Sequence, residues 1–184
     1  DVLLPDKIER QIGLVAADAP HLVIGGYRDH YTDGRTPTTV LPLTADPWEA
    51  LLRTRMGTTS ANLFRRDLLM QVGGWNETLN SSQDYELLFR MLKSGATLVR
   101  DDRVGCEVLK RSMGSISRTD ERANWLRYLD LRLAIRDHLR ALDPIGQAGN
   151  IAIADQYLFM AIRVLSKHDR QAAFDAFDRM LPKG

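Results

Sequence analysis

An acidic residue, Asp84, stands at the start of an otherwise ordinary amphipathic helix in the segment NSSQDYELLFRMLKSGA, residues 80–96. A carboxylate there has two uses. With Ser81 as N-cap, Asp84 is the third helical residue, able to accept from the Ser81 backbone N–H and to face the positive end of the helix dipole. Alternatively, the helix holds still a carboxylate that remains charged at neutral pH and takes a proton, a weak base that suffices when the leaving group is already good. Both readings are open on this segment alone.

The other reactive residue types are scattered. Cys106 is the single cysteine, so no disulfide can form within the chain, and no neighbouring thiol or histidine gives it metal-ligand spacing. It reads as a packed strand residue in a reducing compartment. His21, His30, His138 and His168 share no spacing and read as surface or satisfied histidines rather than ligands. Arg65 and Arg66 open a helix, where exposed charge or a salt bridge is the default.

The elements that must position Asp84 follow from periodicity and punctuation. LLPDKIERQIGLVAADAP reads as a helix entered at Pro5, with Ile8, Ile12 and Val15 on one face and an end near Pro20. HLVIGGYRDHYTDG reads as a strand and turn, and RTPTTVLPLTA as irregular. ADPWEALLRT carries Asp46, Pro47 and Glu49 as a capping box. TTSANLF reads as a strand, RRDLLMQVGGW as a short helix closed by Gly73, and NETLNSS as a polar loop. In the helix that follows, Tyr85, Leu88 and Leu92 form the buried face, Glu86 and Arg90 are spaced for an i,i+4 pair, and Gly95 ends it. ATLVRDD and VGCEVLKR read as two strands meeting at a tight turn near Asp101 and Asp102.

From Thr119 the pattern is helical. Trp125, Leu129, Ile135, Leu139 and Leu142 line one face of a long helix that stops at Pro144, and IAIADQYLFMAIRVLSK and RQAAFDAFDRML form a hairpin turning at His168 and Asp169. The division expected is an α/β part over 1–118 and a helical region over 119–184.

Composition limits the function classes. The 184 residues are 44% hydrophobic and 27% charged, enough for a sizeable core, and 25 basic against 24 acidic residues leave +1, which argues against nucleic acid as partner. Apolar runs of a few residues fall far short of the roughly 20 needed to cross a bilayer. The expected location is cytoplasmic, or peripheral to the inner face of the membrane. The chain begins with Asp1 and enters helical sequence almost at once, as a piece of a longer protein would.

Three segments, DVLLPDKIERQ (1–11), GTTSANLFRRDLLMQVGGWNETLNSSQDYELLFRMLKSGA (57–96) and RSMGSIS (111–117), together resemble a family 2 glycosyltransferase of GT-A fold. The resemblance covers about residues 1–117 and leaves the helical region uncovered. It implies an α/β chain carrying part of a Rossmann-like GT-A sheet with flanking helices, followed by a C-terminal helical appendage. It also implies that the nucleotide-sugar half, whose Asp-x-Asp motif holds a divalent manganese or magnesium ion on the diphosphate, precedes this chain. Asp1 then falls on or just after the last acidic residue of that motif and is offered as a metal contact.

By position, Asp84 matches the carboxylate that deprotonates the acceptor hydroxyl in an inverting transfer. Gln83 stands where many members have Glu, which removes a charge beside the base. Gly73, Gly74, Trp75, Asn76 and Glu77 match the Gly-Gly-x-Asp/Glu loop, in which an aromatic ring can pack on the apolar face of a sugar, although Trp75 reads equally as core. Thr58 and Thr59 match residues lining the sugar pocket, or are plain strand residues. Ser112 replaces a histidine common in the family, while Lys110 and Arg111 keep positive charge that suits a diphosphate leaving group.

The resemblance implies a nucleotide-sugar donor and a glycan or lipid-linked acceptor in polysaccharide or glycoconjugate synthesis. It also implies that this fragment alone is inactive and binds no metal. The competing expectation is a non-catalytic module that associates with a partner or a second copy through its helical hairpin, rich in Ala172, Ala173, Phe174 and Phe177, or through an exposed sheet edge.

Overall fold

The computed structural model describes residues 1–43, 46–111 and 120–180. They divide into two compact units, Asp1–Glu77 with Gln83–Ser115, and Thr78–Ser82 with Ile116–Gly184. The first unit is α/β and the second is helical.

In the first unit, two long strands pair in parallel: β2 (Leu22–Tyr31) and β5 (Leu98–Lys110). Around them lie β1 (Val2–Leu3) at the outer edge of β5, and β3 (Thr38–Val40) and β4 (Leu63–Phe64), both antiparallel to β2. Leu22, Val23 and Ile24 are wholly buried in the middle of this sheet. The segment expected to turn at Asp101 and Asp102 does not reverse. It stays one strand with a bulge, because β2 opposes it with Gly25 and Gly26 across the register shift. Asp101 is fixed there by Arg10, which donates to both its oxygens at 2.8 and 2.9 Å, and by Gln11 at 3.2 Å.

Helix α1 (Lys7–Asp18) departs from its hydrophobic pattern. Ile8 and Ile12 are 46% and 52% exposed, while Lys7 and Gln11 face inward at 2% and 0%. The polar pair is inside because it has backbone to satisfy: Lys7 Nζ donates to Asn62 O at 3.1 Å and Gln11 Nε2 to Ala61 O at 2.8 Å. Burial lowers the Lys7 pKa from 10.5. The folded chain therefore loses this proton more easily than the unfolded chain, and the cost of burying the charge, full at low pH, is relieved as pH rises toward 10.5. Wild type should accordingly gain stability relative to Lys7→Met as denaturation midpoints are followed up through that range, and a pH-independent difference would remove the assignment.

Helix α2 (Pro47–Leu52) starts as expected, with Asp46 accepting from Trp48 N at 2.8 Å and Glu49 N at 3.4 Å. Glu49, however, does not close a capping box but pairs forward with Arg53 at 2.7 Å. After it, TTSANLF is mostly turn, with only Leu63–Phe64 in a strand. Two short elements then carry the polypeptide toward Asp84: α3 (Arg66–Gln71), ended by positive-φ Gly73 and Gly74, and α4 (Gln83–Lys93). Of the three residues expected on the buried face of α4, Leu88 and Leu92 are inside and Tyr85 is only half-buried, while Leu87, Phe89 and Met91 are buried as well. Cys106 is buried in β5, and burial pushes its thiol pKa up, as a packed strand residue requires.

The second unit contains α5 (Glu121–Leu142), α6 (Ala148–Leu165) and α7 (Arg170–Met180). Leu129, Leu158, Ala161, Leu165, Ala173 and Ala176 form its core. Leu142 lies outside it at 56% exposure, since the apolar stripe of α5 ends one turn earlier at Leu139. The pattern also missed Arg132, fully buried with its guanidinium over the rings of Tyr128 and Tyr157, each 4.5 Å away. Among the described residues, no helix is long and apolar enough to cross a membrane.

Candidate active site

Asp84 is the second residue of α4, not the third, because the helix starts at Gln83 after Ser82 takes a positive φ of 60°. The capping box expected from Ser81 is thus out of register, and the Ser81 hydroxyl accepts from Arg127 Nε at 3.0 Å. Asp84 is exposed, and its Oδ1 accepts from the indole N–H of Trp75 at 3.1 Å. Oδ2 makes no hydrogen bond among the described residues and remains open to another donor.

Trp75 is held from two sides. Its ring meets Phe64 edge-on with centroids 5.7 Å apart, and its loop is tied to α4 by Arg90. That guanidinium donates to Gly74 O at 2.7 Å and to Val72 O, while Glu86 fixes it at 2.7 and 2.8 Å. The helix that carries Asp84 therefore also fixes the loop that holds Asp84. Gly73 and Gly74, at φ 83° and 65°, allow the turn that brings the indole back. The Glu86–Arg90 spacing was visible in the sequence, but nothing there indicated that Arg90 reaches the Gly-Gly loop.

Asp84 and Tyr85 border a cavity of about 120 Å³ whose other walls are Leu51, Thr54, Met56, Gly57 and Leu88. The 54–57 wall is shaped by Asn62, a residue that the sequence reading passed over. Asn62 is buried, accepts from Gly25 N at 3.1 Å and donates to Met56 O at 2.9 Å. Its only advance signal is a polar residue beside two apolar ones in a short strand.

The other candidates are more dispersed. Gln83 and Glu77 are exposed beside Asp84 and Trp75, and Asn76 lies between Trp75 and Glu77 on the same loop. Thr58 and Thr59 belong to a turn, not a strand, in which Thr58 O accepts from Ala61 N at 2.9 Å. Asp1 is exposed and accepts from Ser60 Oγ at 2.6 Å. Lys110, at the end of β5, lies 3.5 Å from the Asp29 carboxylate, and Arg111 is exposed next to it. Ser112 and the residues after it in RSMGSIS fall outside the described residues. Among the described residues, no hydrogen bond or ion pair links Asp84 to Asp1, Lys110 or Arg111.

No group of three His, Cys, Asp or Glu residues among those described could hold an ion. His30 and His168 face Glu107 and Glu121 at 3.2 and 3.5 Å, and His21 meets Thr97 Oγ1 at 2.8 Å.

The α/β sheet of five strands with flanking helices, and the helical unit besides, are consistent with part of a Rossmann-like glycosyltransferase fold. In particular, the chain superposes on S. aureus TarS 1-349, solved in complex with UDP-GlcNAc, with a TM-score of 0.55 over 94% of this chain and 13% sequence identity. At that identity the likeness is one of fold. This chain spans 48% of the TarS chain. No protein-family profile and no curated protein match the sequence.

Proposed function

We propose that this chain is the acceptor-side part of an inverting family 2 glycosyltransferase that transfers a sugar from a nucleotide-sugar to an acceptor hydroxyl, with Asp84 as the base. The observation that carries the reading is the fixed carboxylate: Asp84 Oδ1 is held by Trp75 at the mouth of a cavity, and Oδ2 is left for a substrate. The motif resemblance and the fold shared with a UDP-GlcNAc-binding protein support the same chemistry.

The acceptor oxygen attacks the anomeric carbon from the face opposite the nucleotide. As the new glycosidic bond forms, the bond to the diphosphate oxygen breaks and its electron pair leaves with the diphosphate. The acceptor proton passes to Asp84 Oδ2. Gly73, Gly74, Trp75, Asn76, Glu77 and Gln83 stand close enough along the chain to border the acceptor, and the exposed part of the Trp75 ring, 36% of the residue, offers an apolar surface to a sugar. Thr58, Thr59, Lys110 and Arg111 are assigned to the substrates with support from the motif match alone. The acceptor class is a glycan or lipid-linked glycan handled at the cytoplasmic side in polysaccharide or glycoconjugate assembly.

The donor half is assigned to a part of the protein not included in this chain, so the chain alone is expected to transfer no sugar. Its melting temperature should not move on addition of a nucleoside diphosphate with manganese. A clear rise would place a donor site inside these 184 residues and overturn this division of labour.

A further inference from the structure

Helices α6 and α7 leave an apolar groove on the outer side of their hairpin. It encloses about 560 Å³ and is lined by Phe159, Ile162, Phe174 and Phe177, with Arg163 and Arg170 at its rim. Phe174 is 67% exposed, Phe159 54% and Phe177 37%, an apolar surface of a kind that marks an interface. We infer that this face joins a second copy of the chain through an antiparallel pairing of the two α7 helices across Phe174.

The charges on α7 select that occupant. Arg170, Phe174 and Asp178 lie at i, i+4 and i+8 and form one ridge of the helix, and such ridges interdigitate when two helices pack. Phe174 is midway between the two charges. A two-fold axis through Phe174 therefore sets each Arg170 opposite Asp178 of the other copy and the two phenyl rings against each other's groove. Neither Arg170 nor Asp178 makes a hydrogen bond or ion pair among the described residues.

Their placement is also adverse for the isolated helix. Although Asp169 caps the helix by accepting from Ala172 N at 2.9 Å, the cation Arg170 sits in the first turn and the anion Asp178 in the last, each of the sign that the helix dipole disfavours there. Pairing between copies turns that local penalty into a matched contact. By contrast, Arg179 in the same last turn is already satisfied by Asp130 at 2.7 Å. Because a stable interface buries about 800 Å² per partner, the 11-residue helix must be joined by Phe159 and Ile162 of α6, and a micromolar dimer is expected.

Sedimentation equilibrium of the 184-residue chain is the test. Wild type should dimerise in the micromolar range. Arg170→Asp, which sets like charges opposite each other, should weaken the dimer by more than about tenfold. Arg170→Asp combined with Asp178→Arg should restore it. Both sites are exposed, and the exchanged charges favour the helix, so circular dichroism should show every variant folded. A wild type that stays monomeric at high micromolar concentration overturns the inference, as does a dimer indifferent to Arg170→Asp and to Phe174→Glu, which would implicate another surface such as the β1 edge. Weakening by the single change without rescue by the double change overturns the antiparallel register.

Discussion

On the proposed reading, Asp84→Asn in a complete enzyme containing this chain is expected to lower turnover by about 10² to 10⁴-fold, the usual contribution of a positioned general base. Asn is isosteric, and its amide oxygen can still accept from Trp75 Nε1, so the loop held by Arg90 should keep its place. What is lost is a group able to take the acceptor proton. The deficit should therefore appear in kcat, with the KM for the nucleotide-sugar little changed and the melting temperature near that of wild type. Asp84→Ala should be as inactive while also releasing the indole. Steady-state rates of both variants decide the matter, and an Asn variant within a few-fold of wild type would show that the proton goes elsewhere.

Much of the frame around this carboxylate was legible in the sequence, and the parts that were not share a physical origin. The Asp46-Pro47 helix start, the Gly73 stop and the long β2 strand were readable because they depend on local rules: a side-chain cap, a positive φ, and β-branched residues in a run. Helix α1 misled because amphipathic periodicity assumes that polar residues face water. Lys7 and Gln11 instead turn inward to satisfy the carbonyls of Asn62 and Ala61, 55 and 50 residues away. The single β5 strand misled for a related reason. Asp101 and Asp102 look like a turn unless one knows that Arg10 neutralises Asp101 in place, that Gln11 donates to it, and that the facing strand carries glycines. At the candidate site, Asp84 and Trp75 were both singled out, but the hydrogen bond between them required a three-dimensional loop path. Nothing in the spacing of residues 75 and 84 distinguishes it.

The same tertiary bookkeeping predicts unequal costs for two chemically identical substitutions. Gly57 and Gly73 both have left-handed backbones, with φ of 76° and 83°. At Gly73 a Cβ would meet nothing within 4 Å, so Gly73→Ala should cost only the backbone strain, about 1–2 kcal/mol. At Gly57 the added carbon would overlap Asn62 Oδ1 and sit 2.8 Å from Gly25 O. Neither neighbour can yield cheaply, since Asn62 is buried and bonded to Gly25 N and Met56 O, and Gly25 O belongs to the central strand. Overpacking of this kind adds about 1–3 kcal/mol to the same backbone strain, enough to take a large share of the stability of a domain this size. Gly57→Ala should therefore unfold at clearly lower denaturant than Gly73→Ala. Gly57 also lines the cavity beside Asp84, and Gly73 does not. Equal midpoints for the two variants would mean that the loop over residues 54–57 relaxes freely and that Asn62 does not fix the cavity wall.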